Sequence, residues 1–213
     1  FISSIVLLML CLFAMTSSTQ FLEHCYLVPI LFRRISPNLG LWWYFFTEMF
    51  EFFTPFFTGV FNLFSVLFVV PITLRFNDAT SLKERVNTGD AFFAVFASYL
   101  WLVFTKLYPA VGDFGLILSM IPIFQTTFLP YCTYGPVAAL VLLGSLILSP
   151  IFYYCWIVLG NGNSNFFYSI NLVWGIVHGL VIIDMMWGKL TYDYVRVNKL
   201  SRSQQKTLRL AQG

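Results

Sequence analysis

The sequence predicts an all-α membrane protein, in which about six transmembrane helices form a bundle and one further helix lies at the membrane interface. The chain has 213 residues, of which 59% are hydrophobic and only 10% charged, and its mean hydropathy is +0.80. Six apolar stretches approach the roughly 20 residues that a helix needs to cross a hydrocarbon core. Lysine and arginine fall mainly in alternate gaps between these stretches. A soluble domain of this composition would lack polar surface, so lipid must be the solvent.

The six spans make up a predicted membrane domain that covers residues 1–188. We place them at 1–18, 55–74, 91–107, 114–129, 136–159 and 166–187. The first begins inside an apolar run, and we expect that an earlier part of its helix precedes this sequence. Pro55 suits the first turn of the second span, where its missing amide breaks no hydrogen bond. Pro122 predicts a kink in the fourth span, and Pro150 lies inside the fifth.

An interrupted segment, 19–53, separates the first two spans and is too rich in charges and proline to cross cleanly. Its part 38–53 predicts a short helix at the interface, because the two tryptophans and the tyrosine at 42–44 favour the headgroup level. Glu48 and Glu51 would be costly at the bilayer centre. Spaced three apart, they are predicted to share one helical face, turned to water, to a partner or to a cavity.

The distribution of basic residues predicts the orientation. Residues 189–213 form a basic tail, and placing it in the cytosol puts nine lysines and arginines on that side and three on the other. Segment 19–53, the turn 106–113 and the turn 160–165 are then predicted to share the lumenal side. We interpret the tail as a topology signal with a solvated end, although it could also bind anionic lipid or a soluble partner.

The turn 160–165 reads Gly-Asn-Gly-Asn-Ser-Asn and joins two strongly apolar helices. Asparagine and glycine suit a tight turn, and Ser164 or Asn165 is positioned to cap the following helix. The turn is also a candidate binding site, because Asn161, Asn163 and Asn165 donate and accept hydrogen bonds without adding charge. The start of the next helix would favour an anion there. The two interpretations do not exclude each other.

Ionisable residues inside predicted spans are candidates for function by default. His178 lies near the middle of the sixth span, where one hydrogen bond to a neighbouring helix would satisfy it, and we favour that structural interpretation. Asp184 lies about one turn from the cytosolic end, where it reaches the interface or pairs with Lys189.

The sequence lacks the common catalytic and cofactor motifs. It has no G-x-S-x-G, P-loop, H-E-x-x-H or dinucleotide-binding glycine pattern, and its four cysteines show no metal-ligand spacing. Glu48 and Glu51 make a weak case for acid-base catalysis, because no nucleophile accompanies them. We therefore expect no metal, no cofactor and no nucleic-acid partner.

Four stretches stand out together by their motifs. They are FLEHCY at 21–26, SPNLGLWWYFFTEMF at 36–50, YPAVGD at 108–113 and NSNFFY at 163–168. In this order and approximate spacing, the chain resembles the PIG-U family, the multi-span subunit of the glycosylphosphatidylinositol (GPI) transamidase of the endoplasmic reticulum. The segment 37–50 carries the most specific part of the resemblance.

The resemblance implies a function that composition does not reveal. The family's complex removes a C-terminal signal from a precursor protein and joins the new end to a GPI lipid, with the chemistry on a cysteine protease-like subunit. A PIG-U subunit is implied to be non-catalytic, to recognise or hold the GPI lipid, and to lie in the endoplasmic reticulum membrane beside the other subunits. Its fold is similar to that of the GT-C glycosyltransferases, which act on lipid-linked sugars.

A receptor for such a lipid needs an apolar groove between helices, capped by neutral polar groups on the lumenal side. Our candidates for headgroup contact are Asn163 and Asn165, then Asn161 and Tyr168, and finally, as weaker candidates for the cavity or a subunit contact, Asn38 and Glu48.

Two other functions are compatible with the predicted architecture. A GT-C glycosyltransferase would need a lumenal acidic catalytic group and usually a metal-binding acidic pair, and no D-x-D occurs in these residues. A transporter is favoured by His178 and by the prolines inside spans, but no inverted repeat is evident. We therefore favour the transamidase subunit.

Overall fold

The computed structural model describes residues 2–16, 27, 35–77 and 89–201. This part of the chain is all-α and holds no strand, which confirms the all-α part of the predicted fold class. Its α-helices are α1 (Ile2–Thr16), α2 (Trp43–Glu48), α3 (Thr54–Leu67), α4 (Val69–Asn77), α5 (Ala91–Thr105), α6 (Val111–Met120), α7 (Gly135–Ile157) and α8 (Ser164–Val197). Short 3-10 helices cover Glu51–Phe53, Ile121–Phe124 and Leu129–Tyr131.

Within these described ranges, three helices are long and apolar enough to cross a membrane. They are the stretch Glu51–Asn77 with 27 residues, α7 with 23 and α8 with 34, and they coincide with the second, fifth and sixth predicted spans. α5 and the stretch Val111–Phe124 are apolar but shorter. The 15 residues of α5 rise about 22 Å, against roughly 30 Å of hydrocarbon core. Six crossings and the likeness to GT-C enzymes remain predictions.

Prolines account for where several helices end. Pro71 lacks the amide that would bond to Leu67, and α3 ends at that residue before α4 continues. Pro122 likewise stops α6 and leaves a 3-10 turn, so the fourth helical segment ends at Phe124, earlier than predicted. α7 continues through Pro150.

The loop 36–42 contacts several helices at one end of the bundle. The Trp42 indole donates a hydrogen bond to the Thr105 carbonyl over 2.8 Å, and the Asn38 carboxamide donates to the Leu107 carbonyl over 3.3 Å. The loop also accepts a hydrogen bond from the start of α8. The α5–α6 turn, the α7–α8 turn and this loop therefore lie at one end of the bundle, which we call the loop end.

Buried charges hold the opposite end, which we call the Lys189 end. Lys189 is only 2% exposed, and its ammonium lies 3.4 Å from Asp90 and 3.0 Å from Asp193. The sequence places Lys189 at the start of a solvated tail, but α8 extends beyond it and keeps it inside the bundle. Asp184 is not its partner, because this carboxylate accepts two hydrogen bonds of 2.9 Å from backbone amides just before α7.

α8 is the most buried of the three long helices. His178 on α8 is 1% exposed, lies near the Leu100 carbonyl of α5 and packs against the rings of Phe104 and Phe114. Its Nε2 has no hydrogen-bond partner among the described residues, and the structural interpretation of this histidine stays a prediction. α8 thus connects the two ends of the bundle through its core.

Candidate functional site

The predicted site begins where α7 ends. Gly160 has a φ of +64°, and the amide of Asn161 donates to the Cys155 carbonyl over 3.0 Å. The left-handed glycine turns the chain back toward the last turn of α7, and a residue with a side chain would be strained there. The first half of the turn is therefore structural. The Asn161 carboxamide is exposed and has no hydrogen-bond partner among the described residues.

Asn163 caps α8. Its Oδ1 accepts a hydrogen bond from the Phe166 amide over 3.0 Å, which satisfies one of the unpaired donors at the helix start. The sequence offers Ser164 or Asn165 as the cap, and the structure assigns that position to Asn163. Because Asn163 is exposed and only its oxygen is used, its amide hydrogens remain available to a ligand.

Asn165 and Glu48 meet at one hydroxyl group. The Tyr44 hydroxyl on α2 interacts with both the Glu48 carboxylate and the Asn165 carboxamide. Partial burial and the nearby negative charge of Glu48 raise the pKa of Tyr44, whereas the Asn165 carboxamide lowers it. Two predicted site residues from distant segments are joined through a tyrosine that the sequence presents only as an interfacial aromatic residue.

Tyr168 supports this trio by stacking. Its ring lies parallel to that of Tyr44, with centroids 4.5 Å apart and planes at 16°. Its hydroxyl donates to the Leu41 carbonyl over 3.1 Å, so that group is used inside the protein. Tyr168 contributes an aromatic surface to the site. We define the polar cluster as Tyr44, Glu48, Asn161, Asn163 and Asn165.

Asn38 organises the loop. Its Nδ2 donates to the carbonyls of Ser36 and Leu107 over 3.0 and 3.3 Å, and its Oδ1 accepts from the Gly40 amide over 2.6 Å. Both amide hydrogens are thereby used, which leaves no free donor for a headgroup. Its backbone carbonyl accepts a hydrogen bond from Asn171, which is 0% exposed. Sequence analysis misses Asn171, although a carboxamide in an apolar span is a signal, since it needs a buried partner.

Trp43 forms the floor of the site. The sequence predicts an anchor at the headgroup level, but Trp43 is 0% exposed and packs on Trp156 and Phe167, with ring centroids 5.8 and 5.5 Å away. Rings from α7 and α8 bury it, which no pattern within the six residues of α2 could indicate. Its Nε1 has no hydrogen-bond partner in the part of the chain that the structure describes.

Glu48 and Glu51 do not share a helical face. α2 ends at Glu48, the backbone is extended at Met49 and Phe50, and Glu51 opens a separate 3-10 helix. The predicted continuous helix over 38–53 is therefore wrong, because these two extended residues redirect the chain. Only Glu48 joins the polar cluster.

The polar cluster offers many hydrogen bonds and little charge. Its three carboxamides combine donors with acceptors, beside a single carboxylate. The N-terminus of α8 adds partial positive charge at Asn163. No three His, Cys, Asp or Glu side chains of the described residues lie close enough to hold a metal ion. The arrangement is suited to binding a group that is rich in hydroxyl or phosphate oxygens.

The chain matches the family model described as GPI transamidase subunit PIG-U over residues 1–174. Over 91% of its length it is 41% identical to the GPI transamidase component GAB1 of Saccharomyces cerevisiae. It is 34% identical, over 84% of its length, to the GAB1 homolog of Schizosaccharomyces pombe. To the GPI-anchor transamidase component PIGU of Homo sapiens it is 29% identical over 91% of its length.

The matched regions cover 47%, 41% and 42% of these three relatives, so the chain spans under half of their length. The resemblance seen in the four sequence stretches is confirmed by these matches, and the chain belongs to the PIG-U family of GPI transamidase subunits.

Proposed function

We propose that this chain is part of a non-catalytic membrane subunit that holds the GPI lipid for the transamidase, while another subunit performs the transamidation. Family membership supports the assignment to the complex. The observation that carries the lipid-holding function is the trio of Asn165, Tyr44 and Glu48, whose polar groups interact, together with the exposed carboxamides of Asn161 and Asn163 in the same turn as Asn165.

The chemistry of the polar cluster supports this proposal. A GPI headgroup is a long glycan with hydroxyl and phosphate oxygens, which carboxamides bind without the selectivity for charge that a row of lysines would impose. Asn163 lies at the helix terminus, where a phosphate is favoured.

The proposed location is the endoplasmic reticulum membrane, with the tail in the cytosol and the polar cluster on the lumenal side. The excess of lysine and arginine in the tail and in the gap before α5 supports this orientation. The loop 36–42, the α5–α6 turn and the α7–α8 turn lie together at the loop end. This common position also supports the orientation, because the orientation predicts all three on the lumenal side. Neither the polar cluster nor membership in the PIG-U family supports the two alternative functions, a glycosyltransferase and a transporter.

The proposal is tested by the double substitution Asn163→Lys and Asn165→Lys in the full-length protein, expressed in cells that lack their own copy. Two long cations replace the carboxamides and remove the interaction of Asn165 with Tyr44. We expect surface display of a GPI-anchored reporter to fall at least tenfold, a ratio that corresponds to about 1.4 kcal/mol of lost binding. Co-purification of the other subunits should be unchanged.

The matched control is Asn198→Lys, an exposed asparagine at the other end of α8. This variant should display the reporter normally. Normal display by the double variant, at normal expression and assembly, would refute the assignment of headgroup contact to Asn163 and Asn165. Loss of assembly would be separated from loss of lipid by measuring GPI in the purified complex.

A further inference from the structure

A small cavity lies where the loop 36–42 meets α5 and α8. Its walls include the loop residues 39–41, Phe104 of α5, and Gly175 and His178 of α8, and none of its walls belongs to the polar cluster. The space inside the cavity is about 10 Å³. This volume corresponds to roughly one water molecule, and it is too small for a sugar or a lipid chain.

His178 brings a buried polar atom to this cavity. Its side chain is 1% exposed, and its Nε2 has no hydrogen-bond partner in the part of the chain that the structure describes. The rings of Phe104, Phe114 and Trp174 pack around the imidazole with centroids 5.5, 5.4 and 6.4 Å away, and they offer Nε2 no acceptor. Proteins satisfy such buried atoms with their own polar groups or with ordered water. The cavity is therefore the place where Nε2 finds a partner.

The loop offers the second hydrogen-bonding group at this cavity. Leu39 takes part in no hydrogen bond within the described ranges, so its main-chain amide and carbonyl are both unpaired there. The next amide, that of Gly40, is already used by the Asn38 side chain over 2.6 Å. A water molecule both donates and accepts hydrogen bonds, so it suits either tautomer of the His178 ring and either group of Leu39.

The loop packs closely on α8 beside the cavity. A Cβ atom on Gly175 would lie 2.6 Å from the Leu41 side chain, so a larger residue there would displace the leucine. Asn171, one turn earlier, donates directly to the Asn38 carbonyl. Spacings of four and three place Asn171, Gly175 and His178 on one face of α8. His178 thus offers a second polar link between α8 and the loop, and this link needs a bridging molecule.

We infer that one ordered water occupies this cavity and hydrogen-bonds both His178 Nε2 and the main chain of Leu39, which makes His178 a positioning residue for the loop 36–42. The loop leads directly into α2, which carries Tyr44 and Glu48 of the polar cluster. The inference does not depend on lipid binding, because the water belongs to the packing of the loop on α8. A side chain from outside the described residues is an alternative occupant that the experiment identifies.

The direct test is a cryo-electron microscopy structure of the assembled complex with the full-length protein, at a resolution that shows ordered waters. We expect density for one water within about 3.2 Å of His178 Nε2. In a His178→Phe complex this density should be absent, because phenylalanine replaces the ring without its polar atoms. A cavity without density, in a map that shows other buried waters, would overturn the inference, and so would polypeptide density in the cavity.

Hydrogen–deuterium exchange of the loop peptide tests the positioning function. His178→Phe should speed exchange of the loop amides about tenfold, as loss of one buried hydrogen bond predicts. His178→Gln places a carboxamide near the position of Nε2 and should restore slow exchange, which a change in packing alone would not explain. Ile176→Phe, at a position 72% exposed on the same helix, is the matched control and should exchange like wild type.

Equal exchange in wild type and His178→Phe would refute the positioning function. Fast exchange in both the phenylalanine and the glutamine variant would also refute it, because packing of the ring would then be the cause. The density in the wild-type complex decides whether the water is present even where a variant fails to assemble.

Discussion

Asn171, two turns into α8, donates a side-chain hydrogen bond to the backbone carbonyl of Asn38 and thereby ties α8 to the loop at the end of the bundle. The Gly40 carbonyl lies 3.4 Å from the same nitrogen. Asn171 is 0% exposed, so water cannot replace it as a donor. The position of the loop, and with it one wall of the site, therefore depends on a residue inside a helix that is long and apolar enough to cross the membrane.

We predict that Asn171→Leu weakens this arrangement. Leucine has a similar volume but leaves the carbonyls of Asn38 and Gly40 buried without their donor, at a cost of about 1–3 kcal/mol. The thermal midpoint of the detergent-solubilised complex should fall, and reporter display should fall with it. Ile176→Ala, at a position 72% exposed on the same helix, is the control and should leave both unchanged. Equal stability of wild type and Asn171→Leu would contradict the role of this bond.

Asn163 caps α8 and is also a proposed headgroup contact, and these two functions can be separated by substitution. Asn163→Ala removes the cap of α8 and should lower stability by about 1 kcal/mol, as loss of an N-cap usually does. Asn163→Asp keeps the acceptor for the Phe166 amide and should leave stability unchanged, but it adds a negative charge where a phosphate would bind. We therefore expect Asn163→Asp to reduce bound GPI in a stable complex. If both variants retained bound GPI, Asn163 would be only a cap.

The Tyr44 hydroxyl provides a test of the trio that depends on pH. Its pKa is raised by burial and by Glu48, so the folded state keeps the phenolic proton above the pH at which an unfolded tyrosine loses it. The contribution of the trio to stability is thus complete below about pH 10 and is lost as the pH rises further. Glu48→Gln should lower the pH at which Tyr44 ionises, and Asn165→Leu should raise it.

The measurement is the phenolate absorbance of each protein minus that of the same protein with Tyr44→Phe. Glu51→Gln is the matched control, because Glu51 lies on a separate 3-10 helix and should leave the titration unchanged. A shift of the same size in the Glu51 and Glu48 variants would show that the effect is general electrostatics and not the local interaction between Tyr44 and Glu48.

Properties of single segments were predictable from the sequence. The length and hydropathy of α7 and α8 follow from local composition, and Gly160 takes a left-handed conformation in the turn after α7, as a glycine after an apolar run is expected to. Helix breaks at Pro71 and Pro122 follow from the missing amide, although only Pro122 was predicted to disturb a helix. These features depend on residues that are neighbours in the sequence, so sequence patterns predict them.

Contacts between distant segments were not predictable in the same way. Asn165 and Glu48 emerge as candidates separately, but their connection through Tyr44 spans more than one hundred residues of sequence and depends on how α2 packs on α8. Trp43 looks like an interfacial aromatic until Trp156 and Phe167 bury it. The sequence shows which residue types can form such contacts, but it does not show which residues pair with each other.

Lys189 gives the last prediction, at the end of the bundle away from the proposed site. Its ammonium is 2% exposed between Asp90 and Asp193, and Asp90 also caps α5 by accepting from the Phe93 amide over 2.9 Å. Lys189→Met would leave two partly buried carboxylates without their cation, so we expect a loss of about 3 kcal/mol in unfolding free energy.

Thermal unfolding of the purified complex measures this loss, with Lys199→Met as the control, because Lys199 is exposed beyond the end of α8. Adding Asp90→Asn and Asp193→Asn to Lys189→Met should recover much of the stability, since amides need no cation and an asparagine side chain at position 90 would still cap α5. The amount of bound GPI should fall only as far as the complex loses stability, because the substitution lies at the end opposite the polar cluster. A stable Lys189→Met complex would show that water reaches these carboxylates, and that the charge cluster does not hold α5 against α8.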